Sequence, residues 1–124
     1  MTIKDLNHVA IQVLDVKRSV DFYTQVVGLP LMPRPDFGFP GAWFRIGTNQ
    51  ELHIIQSEKG GMAVASGSRG NHYAFQVTGL DDYPAKVQGH TTWTKGPVVR
   101  PDNARQFYFQ DPDGHTIELV EYPA

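Results

Sequence analysis

The chain of 124 residues contains no cysteine, which excludes disulfides, thiolate metal ligands and a cysteine nucleophile. Any metal site must then be built from imidazole and carboxylate, donors that suit zinc, nickel, iron or manganese. Neither sign of charge is in excess. With 13 acidic and 11 basic residues the net charge is -2, which leaves no electrostatic footprint for nucleic acid or an anionic membrane. No apolar run approaches the roughly 18 to 20 residues a spanning helix needs. The start, Met1-Thr2-Ile3-Lys4-Asp5, lacks the apolar core of a secretory signal. These absences predict a cytoplasmic protein without nucleic-acid or membrane partners. What remains is enough for one folded domain with a sizeable core, since 40% of the residues are hydrophobic.

One stretch is written twice. Asn7-His8-Val9-Ala10-Ile11-Gln12-Val13 returns as Asn71-His72-Tyr73-Ala74-Phe75-Gln76-Val77, with apolar exchanges alone separating the copies. Both copies alternate, as strands with two unlike faces do. Val9, Ile11 and Val13 form one face, and His8, Ala10 and Gln12 the other. The second copy divides in the same way, so an imidazole recurs on the less apolar face of each.

The pattern predicts a first strand over residues 3–13. Asp15 is placed as the N-cap of a helix with Val16, Val20, Tyr23 and Val27 on one face, and Gly28 ends it. Prolines confine a short strand over 29–35 to a sheet edge. A loop over 36–41 leads to strands over 42–46 and 51–56. Residues 57–70, rich in glycine and serine, read as a linker. The cycle then restarts with a strand over 71–77 and a helix over about 80–88, which carries Pro84 in its first turn. Strands follow over 92–100, 104–110 and 115–121, the last after the turn Asp111-Pro112-Asp113-Gly114. The repeat is therefore a whole module. We expect an α+β fold and one domain over 1–124: module one at 1–56, linker at 57–70, module two at 71–122. Two tandem βαβββ modules would form a cup-shaped mixed sheet with helices on the outer face.

His53 and Glu118 occupy equivalent places in the last strand of each module. Alternation sends Leu52 and Ile54, like Ile117 and Leu119, to the helix side. His8, His53, His72 and Glu118 are thus all expected on the inner face, as in a metal site built from a duplicated half-site. Strand-borne ligands need little ordering, and three imidazoles with one carboxylate suit one divalent cation and leave a position for substrate. The alternative for Glu118 is a carboxylate that answers a nearby Arg or His.

The motifs Leu6-Asn7-His8-Val9-Ala10, Ser19-Val20-Asp21-Phe22-Tyr23, Gly70-Asn71-His72 and Asp111-Pro112-Asp113-Gly114-His115-Thr116-Ile117-Glu118-Leu119 resemble the vicinal-oxygen-chelate superfamily. That superfamily includes glyoxalase I, bleomycin-resistance proteins, fosfomycin-resistance thiol transferases and extradiol dioxygenases. Gly41-Ala42-Trp43 and Leu52-His53-Ile54 place the sequence nearest its glyoxalase-like members. The resemblance implies paired βαβββ modules, a homodimer and a metal-dependent lyase or isomerase of the lactoylglutathione-lyase type. Its substrate would be a small molecule with vicinal oxygens, such as a thiol conjugate. His8, His72 and Glu118 match metal positions of the family. His53 matches the fourth, where glyoxalase I itself has glutamate or glutamine, so Glu118 must serve as both ligand and catalytic base. The alternatives are a metal-dependent thiol transferase, an iron-dependent dioxygenase, or a binding protein of the bleomycin-resistance type that holds a drug without metal.

Around this set, Trp43 and Arg45 share a strand face. Facing inward, Trp43 would wall the pocket and Arg45 would hold an anionic group; facing outward, Trp43 would pack and Arg45 would sit at the rim. Arg105 is a further candidate for substrate anions. Phe37 and Phe39, in a loop with flexible glycines, suit a substrate-facing lid or a dimer contact.

Overall fold

Each copy of the repeat forms a short strand with its apolar side turned to the core. In the computed structural model, which describes residues 1–57 and 67–124, β1 (His8–Val13) buries Ile11 and Val13 and exposes His8, Ala10 and Gln12. β5 (His72–Gln76) likewise buries Phe75 and exposes His72, Ala74 and Gln76. β1 begins at His8, five residues later than the alternation suggested. The Asp5 carboxylate accepts from the Leu6 N–H and from Gln50 Nε2, each at 2.9 Å, and so ties the preceding segment to Gln50.

In the first unit, α1 (Val16–Asp21) starts at Asp15, whose carboxylate accepts from the Arg18 N–H at 3.1 Å. The helix continues as a π-helical segment over Phe22–Val27 and stops at Gly28, which has φ 91°. The buried stripe keeps helical spacing but is rotated toward Ser19 from the expected one. Ser19, Phe22, Tyr23, Val26 and Val27 are inside, while Val16 and Val20, expected on the core face, are only half-buried. β2 (Leu31–Met32), β3 (Gly41–Ile46) and β4 (Gln50–Gln56) complete a four-stranded sheet in the order β1-β4-β3-β2. β1 lies parallel to β4, and the other pairs are antiparallel.

The second unit repeats this plan. After β5, a 3-10 turn over Leu80–Asp82 leads into α2 (Tyr83–Val87), and β6 (Thr94–Val99), β7 (Arg105–Gln110) and β8 (Thr116–Glu121) follow. The sheet order is β5-β8-β7-β6, with β5 parallel to β8. β6 is exposed along its length, and its pairing with β7 slips between Lys95 and Val98. A side chain at Gly96 would stand 2.7 Å from the Gln106 carbonyl oxygen, so glycine is needed at that slip.

The α+β class and the two βαβββ modules are as expected, each module forming its own mixed sheet. The compact units are Met1–Met62 and Ala63–Ala124. The expected linker at 57–70 falls mainly on residues 58–66, outside the described residues. Each unit has its own core: Phe44, Leu52 and Ile54 are fully buried in the first, as are Leu80, Phe109 and Ile117 in the second. No helix among the described residues is long and apolar enough to cross a membrane.

Candidate metal centre

The parallel register of β1 on β4 sets His8 level with Glu51 and Ala10 level with His53. Paired residues point to the same side, so His8, Glu51 and His53 share the face opposite Leu52 and Ile54. The His8 and His53 rings stack at 4.2 Å and 14°. On its other face His53 meets Trp43, its partner across β3, at 4.3 Å and 10°. The His53 ring is therefore held between two others. Asn7 accepts through Oδ1 from His8 Nδ1 at 2.8 Å, which puts the hydrogen on Nδ1 and leaves the Nε2 lone pair open. His53 donates from Nε2 to Glu51 Oε1 at 2.9 Å, and Arg45 Nη1 lies 3.5 Å from Glu51 Oε2.

The second unit carries a histidine and a carboxylate on its own pair of parallel strands. A carbonyl oxygen can only accept, so the 2.7 Å contact between His72 Nδ1 and the Gly70 carbonyl puts the hydrogen on Nδ1. His72 Nε2, left with its lone pair, stands 3.1 Å from Glu118 Oε1. Two electron-rich atoms at that distance need a positive centre, either a shared proton or a cation. Glu118 is 5% exposed. Its Oε2 accepts from Gln106 Nε2 at 3.1 Å, and its strand partner across β7 is Tyr108. Burial raises the Tyr108 phenol above its ordinary pKa, and the charge and hydrogen bond of Glu118 raise it further. Tyr108 therefore stays a neutral donor beside the carboxylate. No lysine or arginine forms an ion pair with Glu118 among the described residues, so its buried charge is compensated by polar and imidazole groups alone.

The donor chemistry fits a divalent ion. His8 and His72 each have Nδ1 committed to an oxygen, which leaves Nε2 as the donor atom, directed at Glu118 Oε1 in His72; this is the arrangement in which a second hydrogen bond orients a metal-binding histidine. The 3.1 Å between His72 Nε2 and Glu118 Oε1 suits neighbouring ligands of one ion with bonds of about 2.0–2.2 Å. Of the four expected donors, the structure brings together His8 with His53 in the first unit and His72 with Glu118 in the second. No set of three or more His, Asp or Glu disposed as a metal site is found among the described residues.

The other expected site residues fall into two groups. Phe37, half exposed, lies 5.9 Å from both Trp43 and Phe39, which extends the ring series from His53 along one face. Arg34 covers Phe37 and Phe39 at 4.9 and 5.0 Å from the ring centres and donates to the Phe39 carbonyl at 3.1 Å. The loop is thereby held against β3. Arg105 corrects an expectation. It stands level with Glu121, on the face of β7 opposite Gln106 and Tyr108, and its guanidinium pairs with Asp81. A cation turned to the helix side and already neutralised is not placed to hold an anion beside Glu118.

Glu51, Gln106, Tyr108 and Asn7 went unnoticed as site residues. Alternation offered the signal for the first three, since Glu51 shares parity with His53 and Gln106 shares it with Tyr108.

Comparison with known proteins agrees with the fold. The family model described as the Glyoxalase/Bleomycin resistance protein/Dioxygenase superfamily matches residues 5–119, and the chain belongs to that superfamily. It is 31% identical to a lactoylglutathione lyase of Escherichia coli, over 94% of this chain and 91% of that protein. It is 32% identical to the glutathione transferase FosA of Serratia marcescens, over 94% of this chain and 80% of that one. Among solved structures, a glyoxalase family protein from Bacillus anthracis aligns with TM-score 0.78 at 26% identity, covering 99% of this chain and 98% of that one.

Proposed function

We propose that the chain is a divalent-metal-dependent enzyme of the lactoylglutathione-lyase type, acting on a small substrate with neighbouring oxygens. The observation that carries this reading is the contact of His72 Nε2 with Oε1 of the buried Glu118 at 3.1 Å, with the Nδ1 hydrogen of His72 already spent on Gly70. His8, His53, His72 and Glu118, drawn from one chain or from two in a homodimer, would supply the donors for one zinc, nickel, iron or manganese ion. Such an ion, when bound, supplies Lewis-acid stabilisation of charge on the substrate oxygens.

The chain's own groups supply the rest. Glu118 takes the proton from the carbon beside the substrate carbonyl and returns it to the neighbouring carbon. Gln106 holds Oε2 by a hydrogen bond, so Oε1 is the oxygen that swings between its imidazole neighbour and the substrate. Trp43, with Phe37 and Phe39 beyond it, walls the space next to His53. Arg45 accommodates an anionic group at the rim, where its guanidinium already balances Glu51. The relative named lactoylglutathione lyase supports this reaction type and a thiol conjugate as substrate.

A second reading, addition of a thiol to an activated carbon–oxygen bond, is favoured by the similarity to a glutathione transferase. That reaction needs a positioned thiolate and no carbon base.

Turnover of three substrates separates the readings: methylglyoxal–glutathione hemithioacetal, fosfomycin with a thiol, and a catechol. Protein stripped of metal and reloaded with each candidate ion is expected to convert the hemithioacetal only when loaded. Conversion of fosfomycin alone would favour thiol transfer. Loaded protein inert toward all three would overturn the enzyme reading.

A further inference from the structure

His53 is held differently from the other two imidazoles. His8 and His72 donate from Nδ1, which leaves Nε2 open in His8 and directed at Glu118 Oε1 in His72. His53 donates from Nε2, to Glu51 Oε1 at 2.9 Å, and so has Nδ1 open. The two rings around it do not explain the choice. Stacking on His8 and Trp43 at 4.2 and 4.3 Å fixes the plane of the imidazole. A half-turn about Cβ–Cγ would keep that plane and both stacks, yet exchange the edges that carry the nitrogens. Only the bond to Glu51 distinguishes the two orientations.

We propose that Glu51 is a positioning residue, whose carboxylate selects the edge and tautomer of His53 so that Nδ1 is the atom presented as a donor. The carboxylate is itself anchored. Glu51 stands level with Arg45 across β3, and Arg45 Nη1 lies 3.5 Å from Oε2, which leaves Oε1 for His53. The Glu51 and His53 side chains are only 17% and 13% exposed, so water competes weakly for this bond. A carboxylate behind an imidazole also strengthens it as a donor. The repeat hides this role of Glu51, because Thr116 stands in β8 where Glu51 stands in β4.

The inference rests on the proposed metal role of His53, and its test separates the two. The nitrogen shifts of 15N-labelled histidine in metal-free protein report each tautomer directly. Hydrogen on Nε2 of His53, and on Nδ1 of His8 and His72, is expected. In Glu51→Leu the His53 signal should move toward a mixture of tautomers, and in Glu51→Gln, which keeps an acceptor oxygen, it should stay. Titration with divalent cobalt then reads affinity: a loss of about 10–100-fold in Glu51→Leu and a smaller loss in Glu51→Gln, in keeping with removal of an outer partner. Hydrogen on Nδ1 of His53 in the wild-type protein, or equal cobalt affinity in all three proteins, would overturn the inference alone. Wild-type protein that binds no cobalt would refute the donor set, and the inference with it.

Discussion

Glu118→Gln is expected to abolish stoichiometric metal binding and to lower turnover by about 10²–10⁴-fold, the range for loss of a proton-transferring group, while leaving the fold intact. The replacement keeps the volume of the side chain and its capacity for hydrogen bonds. It removes a negative charge that is 5% exposed and compensated by the His72 imidazole and the Gln106 amide without a lysine or arginine. Holding a charge there is costly in the metal-free protein. The metal-free variant should therefore melt at or above the temperature of the metal-free wild type. Added metal should raise the melting temperature of the wild type only. Calorimetric melts with and without zinc, combined with turnover, check this. A variant that retains turnover and metal stabilisation would remove Glu118 from both roles.

Phe44→Ala is expected to cost about 3–5 kcal/mol, as large-to-small changes at buried aromatics do. Phe44 is fully buried in β3, level with Leu52 of β4, and its ring lies 5.7 Å from that of Tyr23 on the helix. Truncation leaves a cavity where strand and helix meet, and β-sheet hydrogen bonds on both sides of β3 limit collapse into it. Against a typical total of about 5–15 kcal/mol, this is a large fraction. Urea melts should show the loss, and hydrogen exchange should place the weakened protection within Met1–Met62. A change below about 1 kcal/mol would mean that Phe44 contributes little to this core. Trp43 and Arg45 flank Phe44 on the opposite face of β3, so the variant should also loosen the stack on His53.

Much of this was legible because a strand has a period of two. Once His8 and His72 were placed on the exposed side of their strands, parity put His53 and Glu118 on the matching side, and the ladders have that register. The Asp15 cap and the Gly28 stop were equally local signals. Where the reading fell short, the cause was not local. The buried stripe Ser19, Phe22, Tyr23, Val26 and Val27 keeps helical spacing just as the expected one does, and packing, not the period, selects the face with Ser19 over that with Val16 and Val20. Arg105 was assigned by its charge, whereas parity with Glu121 puts it on the far side of β7 and Asp81 neutralises it there. Glu51 escaped because comparison of the modules sets it against Thr116 and offers no second carboxylate. Only its contact with His53 shows its place.

Metal equivalents bound per chain, measured by equilibrium titration of wild type, His8→Ala and His72→Ala, test the central claim most directly. One donor set completed by both half-sites predicts one ion per wild-type chain and none in either variant. Binding of a full equivalent that survives either substitution, or no stoichiometric binding by the wild type, would contradict it.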